Sequence, residues 1–223
     1  KDRLARFYGT VVNLAIANDW MHKNPFAGIR FQEKEVIREV LTKEEIERMM
    51  CKEFALPRLE YVRDVFIFCV FTGMAYVDVN NLRQEHIVRD NNDDLWIRKA
   101  RQKTNNMCNI PLLKIPQLLM EKYKNHPLCT KTGALLPVPS NQKMNSYLKE
   151  IADFCGIQKN LTTHTARHTF ATVVALANGV SMENIAKMLG HSDIRMTQRY
   201  AKVMDSSIMR DMENVDKLFK SSE

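Results

Sequence analysis

From Val65 to Phe71 the chain reads VFIFCVF, with no polar residue on any face. A helix made of these residues has no side to offer water, so it belongs in the middle of a packed domain. The stretch 61–71 therefore predicts a buried helix, and Thr72-Gly73 stops it. Further helical patterns follow over about 113–125, 140–154, 164–177, 181–189, 192–200 and 204–220. Upstream, Thr42 followed by Glu45 ahead of an apolar pattern forms a capping box, where the main domain begins.

Between residues 85 and 111 the pattern changes. Short alternating pieces (HIVR, LWIRKA, CNIPL) are separated by the polar turns DNND and KTNN, which is how a small antiparallel sheet reads. The expected fold class is mainly α with a small antiparallel β-sheet (α+β). At the start of the chain, Leu4, Phe7, Val11, Leu14 and Ala15 recur at helical spacing over 3–19. That helix ends near Trp20, and Asn24-Pro25 marks a turn. The expected organisation is a helical piece over 1–33, a charged linker over 34–41 and the main domain over 42–223. The chain opens at Lys1 in what reads as mid-helix, so it is expected to continue a longer protein.

Composition narrows the function classes. Lys and Arg number 33 against 26 Asp and Glu, a net charge of +7, which favours polyanionic partners. No apolar run is long enough to cross a bilayer. The five cysteines are odd in number and lack metal-like pairing, so neither a disulfide framework nor a zinc site is expected, and a reduced, cytoplasmic setting fits better.

Three late segments and one earlier one stand out. HTARHTFAT places His164 and Arg167 three apart, on one helix face. LGHSDI places His191 after Gly190, at a boundary between helices. TQRYAKV carries Tyr200. RKARQKTNNMCNIPL offers Lys103 at a hairpin tip. Singly, each has an ordinary reading: a surface pair, a helix cap with an incidental histidine, a half-buried packing tyrosine, a solvated turn lysine.

Together, in this order and spacing, Lys103, His164-x-x-Arg167, Leu189-Gly190-His191 and Tyr200 resemble the tyrosine recombinase (phage integrase) family. RHTFAT, GVSMENIAKMLGHSDIRMTQRYAKV and NIPL match as well. The wording FTGMAYVDVNNL and RQKTNNMCNIPLL is similar to integrases of Bacteroides-type mobile elements. The resemblance runs from about residue 40 to the C-terminus, and residues 1–33 look like the end of the family's core-binding domain.

The resemblance implies that Tyr200 attacks a DNA phosphate, giving a 3′-phosphotyrosyl link and a free 5′-hydroxyl. A phenol titrates near 10, so the nucleophile needs proton removal, a positive field, or both. The family roles fall on Arg167 as the fork on the phosphate oxygens, His164 as helper for the tyrosine proton, and His191 as donor to a non-bridging oxygen. Lys103 falls in the place of the general acid for the leaving 5′-oxygen. No metal or other cofactor is implied. The implied partner is double-stranded DNA, held by a homo-tetramer, with a monomer in its absence and no membrane. The segment 204–220 is expected to be a helix that docks onto a neighbouring copy.

In one place the sequence departs from the family. The first catalytic arginine should follow the Thr-Gly turn, but Thr72-Gly73-Met74 leads to Ala75. Asp78 stands where the family often has an acidic support. Arg63 and Arg101 are the candidate substitutes. Arg101 shares a strand face with Lys103, whereas Arg63 sits at the start of an apolar helix, where a charge demands a partner more strongly. That argument places Arg63 ahead. Besides a recombinase, two other readings stay open: a type IB topoisomerase, and a DNA-binding protein weakened in catalysis by Ala75.

Overall fold

The computed structural model describes residues 2–27 and 39–201. Contacts divide the chain into two units, Lys1–Ile37 and Arg38–Glu223. In the first, α1 (Asp2–Ala17) is the predicted N-terminal helix. Phe7, Val11 and Leu14 on it are exposed. Asn24 shapes the turn at Pro25, its Oδ1 accepting the Phe26 N–H at 2.8 Å. Most of the predicted linker 34–41 and all of the predicted helix 204–220 lie outside the described residues.

The second unit opens with α2 (Lys43–Cys51), whose N-terminus carries the capping box. The Glu45 N–H donates to Thr42 Oγ1 at 3.3 Å, and the Thr42 N–H donates to Glu45 Oε2 at 2.7 Å. Next comes α3 (Pro57–Thr72), the apolar helix. Val65, Phe66, Phe68 and Val70 on it are fully buried. It packs against α5 (Lys114–Tyr123), α7 (Asn141–Phe154) and α8 (Thr163–Thr169), so the core surrounds it as its composition requires. Gly73 closes the helix at φ 67°, its N–H donating to the Cys69 carbonyl.

The sheet has the order β1-β2-β3 and is antiparallel throughout: β1 (Ile87–Arg89), β2 (Leu95–Ala100) and β3 (Met107–Pro111). Lys99 pairs with Cys108 in its register. Two short helices, α4 (Tyr76–Asn80) and α6 (Pro127–Thr132), went unpredicted because each is too short to show a period. The last described helices are α9 (Met182–Leu189) and α10 (Arg195–Ala201).

The expected single helix over 164–177 is interrupted. Beyond α8, residues Phe170–Ala175 form a π turn and Leu176–Asn178 a 3₁₀ turn. The hydroxyl of Thr172 donates to the His168 carbonyl, the acceptor that the Thr172 N–H would take in an α-helix. That competition, followed by the stiff pair Val173-Val174, favours the wider turn.

Candidate active site

The buried guanidinium of Arg167 organises the site. Thr162 caps α8, and the helix carries Arg167 inward until it is 4% exposed. Its Nη1 donates to the Gly73 carbonyl at 2.8 Å and its Nη2 to the Leu189 carbonyl at 2.5 Å. These carbonyls end α3 and α9, where the helix dipoles are negative, so two helix C-termini hold one cation. Burial, and then the nearby charge of Arg101, pull the Arg167 pKa below its ordinary value. No carboxylate hydrogen-bonds Arg167 among the described residues.

His191 follows the left-handed cap Gly190, φ 61°. Its Nε2 lies 3.3 Å from Arg167 Nη2, and its Nδ1 lies 2.8 Å from Thr197 Oγ1. Burial foremost, then Arg167 and Arg101, push its pKa down to about 4. The ring is therefore neutral at physiological pH. Since arginine can only donate, Nε2 accepts from it, and the proton sits on Nδ1, facing Thr197. A side chain at Gly190 would meet Cys108 Sγ at 2.7 Å, which shows how closely this turn presses on the sheet.

Tyr200, on α10, is 8% exposed and lies between two histidines. The His191 ring stacks on it with centroids 6.3 Å apart and planes within 9°, and His168 meets it edge-on at 5.0 Å. His168 Nε2 lies 3.1 Å from Nε2 of the exposed His164. An imidazole pair thus leads from the surface to the tyrosine.

Lys103 is exposed at the tip of the β2–β3 hairpin, one residue beyond a fixed point. Buried Asp78 accepts the Gln102 N–H at 2.8 Å, while Thr104 Oγ1 and Asn106 Nδ2 each lie 3.4 Å from the Gly190 carbonyl. The hairpin is therefore tied to α4 on one side and to the His191 turn on the other.

The structure separates the two candidate arginines. Arg101 reaches the site: its Cβ is 3.5 Å from the place a Gly190 side chain would fill, and its charge acts on both Arg167 and His191. Its Nε is buried without a hydrogen-bond partner. Arg63, which the sequence argument placed ahead, is bound elsewhere. It pairs with Asp64, and its Nη1 donates to the carbonyls of Met49, Met50 and Lys52 at 3.0, 3.0 and 2.8 Å. The demand for a partner was real, but it is met at the end of α2. From Arg63 to Thr72 the axis of α3 runs roughly 13 Å.

Sequence reasoning missed three contributors. Thr197 orients His191, His168 touches Tyr200, and Lys99 lines a cleft together with Asp78, Cys108 and Arg167. The inward face of Lys99 was legible in its spacing from Arg101, two residues apart on one strand.

The pattern of the phage integrase family matches residues 39–207, three quarters of the chain. The chain belongs to that family. Its curated relatives include the tyrosine recombinase XerD of Staphylococcus saprophyticus, 40% identical over 95 residues. That stretch is 43% of this chain and 31% of XerD, so the match spans about a third of the relative's length. Among solved structures, a lambda integrase dimer bound to a COC′ core site superposes with a TM-score of 0.64 at 19% identity, covering 84% of this chain and 68% of that one. The Tn1549 transposon integrase, in complex with a circular intermediate DNA, gives 0.63 at 19%, covering 94% and 76%. The fold is that of a tyrosine recombinase catalytic domain, mostly helical around a three-stranded sheet.

Proposed function

We propose that this integrase-family chain cleaves and rejoins double-stranded DNA, as the site-specific recombinase of a mobile element, with Tyr200 as nucleophile. The observation that carries the reading is the placement of Tyr200 against His191, whose ring accepts from the buried Arg167. The phenolic oxygen attacks phosphorus, the bond to the 5′-oxygen breaks, and a 3′-phosphotyrosyl ester remains. The phenolic proton leaves through the imidazole pair His168 and His164, and Lys103 gives a proton to the 5′-oxygen. Arg167 and Arg101 face the charge that builds on the non-bridging oxygens, with Arg101 in the role that Ala75 cannot fill. When a phosphate enters, its charge favours the imidazolium form of His191, and Nε2 can then donate to an oxygen.

In this reading the hairpin ties explain how Lys103 is placed: Asp78 at Gln102 and the Gly190 carbonyl at Thr104 and Asn106 hold the hairpin on either side of it, and its exposed side chain reaches the DNA. Four copies act on two duplexes, and the segment 204–220 joins neighbours. Strand exchange rather than relaxation is favoured by the family and by the recombinases to which the chain is similar.

The test is covalent capture on a nicked suicide duplex selected by this protein from a randomised library. Wild type should form a phosphotyrosyl complex and Tyr200→Phe none, with duplex binding kept. Arg101→Ala should trap slowly, by roughly 10²-fold, for loss of one phosphate donor. A covalent complex from Tyr200→Phe would remove the nucleophile assignment. Tight binding by wild type without capture would favour the weakened DNA-binding protein.

A further inference from the structure

We propose that Lys99 is a further catalytic residue of this site, a cation that binds the same phosphate as Arg167. It supplies part of the positive charge that a residue at position 75 does not. The proposal rests on the reading above.

Lys99 lines a small, mostly apolar cleft, with Met74, Ile110 and Met188, that Arg167 and Asp78 also line. On β2 it points to the same face as Arg101, about 7 Å away along the strand. Across the ladder it faces Cys108, whose thiol lies within the influence of Arg167, Asp78, Arg101 and Lys99 together. Three cations and one carboxylate therefore converge on one thiol. The carboxylate is already engaged, since Asp78 Oδ1 accepts the Gln102 N–H. Such a surplus of positive charge in a half-buried place suits an anion better than water.

The resting contact of Lys99 points the same way. Its Nζ lies 3.2 Å from Nε2 of His86. The Nδ1 of that ring accepts the Arg83 N–H at 2.9 Å. Burial foremost, and then the Lys99 charge, hold the His86 pKa below the usual histidine value, so the ring is neutral at physiological pH. With Nδ1 accepting, the neutral ring carries its proton on Nε2, where Glu85 Oε1 also lies, at 3.8 Å, so Nε2 has no lone pair to offer the Lys99 ammonium. No acceptor holds Lys99 among the described residues, and an oxygen of a phosphate bound by Arg167 would draw its ammonium away from His86.

The experiment compares the intact protein with Lys99→Met and Lys99→Arg on the selected suicide duplex. Lys99→Met should trap roughly ten- to a hundred-fold more slowly, as expected for a lost charge on the transition state, and Lys99→Arg should stay close to wild type. Replacing the scissile phosphate by a neutral methylphosphonate should close the gap between Lys99→Met and wild type, because no charge is left to neutralise. The same replacement at flanking phosphates should leave the gap open. Trapping by Lys99→Met at the wild-type rate would overturn the proposal. So would a gap that persists on the scissile methylphosphonate, the sign of a structural role, or one that closes only at a flanking phosphate. The slope of log affinity against log salt should fall by about 0.9 in Lys99→Met, the signature of one lost phosphate contact. Absence of capture by wild type would count against the recombinase reading, whereas an unchanged salt slope would overturn the Lys99 contact by itself.

Discussion

Arg63 and Arg167 are both buried, 8% and 4% exposed, yet they stand in opposite electrostatic surroundings. Around Arg63 the charges balance. Asp64 takes Arg63 on one oxygen, and Lys122 Nζ and the Tyr123 hydroxyl on the other, each at 2.7 Å, while Lys122 also reaches Glu60 at 2.5 Å. Burial, and then the hydrogen bond to Asp64, raise the Tyr123 phenol far above its ordinary pKa, so it remains a donor. Around Arg167 the charges do not balance. Its acceptors are the two helix-end carbonyls and the His191 ring, Arg101 stands nearby with an unpartnered Nε, and Lys99 faces a histidine N–H. A buried arginine neutralised within the protein is a staple. One left with excess positive charge suits an anion from outside.

Mutation should separate the two. Arg167→Ala should lower covalent capture by roughly 10²–10³-fold, the cost of losing a fixed donor to the transition state. Capture within a few-fold of wild type would erase the contrast. Arg63→Ala should act on stability, costing about 3–5 kcal/mol, since removing one partner leaves Asp64 and three helix-end carbonyls short of a donor. Denaturant unfolding measures that cost, and capture per folded molecule should stay near wild type. Lost capture in a fully folded Arg63→Ala would return Arg63 to the site.

The pH response sharpens the same contrast. The folded-state pKa of His191, about 4, lies below its ordinary 6.5, so on acidification the unfolded chain binds that proton first. The contribution of His191 to stability is complete above pH 6.5 and is lost as pH falls from 6.5 toward about 4. His191→Gln should flatten that stretch of the stability curve. An unaltered slope would show that the ring is not held neutral by burial and its cationic neighbours.

The two regions also differ in how far they could be read in advance. Arg63 attracted notice because a charge interrupts an apolar helix, and that inference was physically sound: the charge has partners. Its partners, however, are the carbonyls of Met49, Met50 and Lys52, which no spacing rule connects with position 63. Arg101 lacked such a local signal, because an arginine on a short polar strand is ordinary. What places it at the candidate site is Gly190, 89 positions on, pressing against its side of the sheet.

By itself the sequence determined the elements and the order of the chemical groups. Composition makes the Val65–Phe71 half of α3 apolar on every face, Thr42 and Glu45 cap α2 within one turn, and alternation sets the three strands. The spacing of His164 and Arg167 puts them on one helix face. These are local properties, decided by backbone geometry over a few residues. The tertiary structure decided which charges meet. It brought the carbonyls of Gly73 and Leu189 to Arg167, 94 and 22 positions away, and set Arg101 beside it while turning Arg63 toward α2. Electrostatic energy depends on distance in space and on burial, and neither is fixed by separation along the chain.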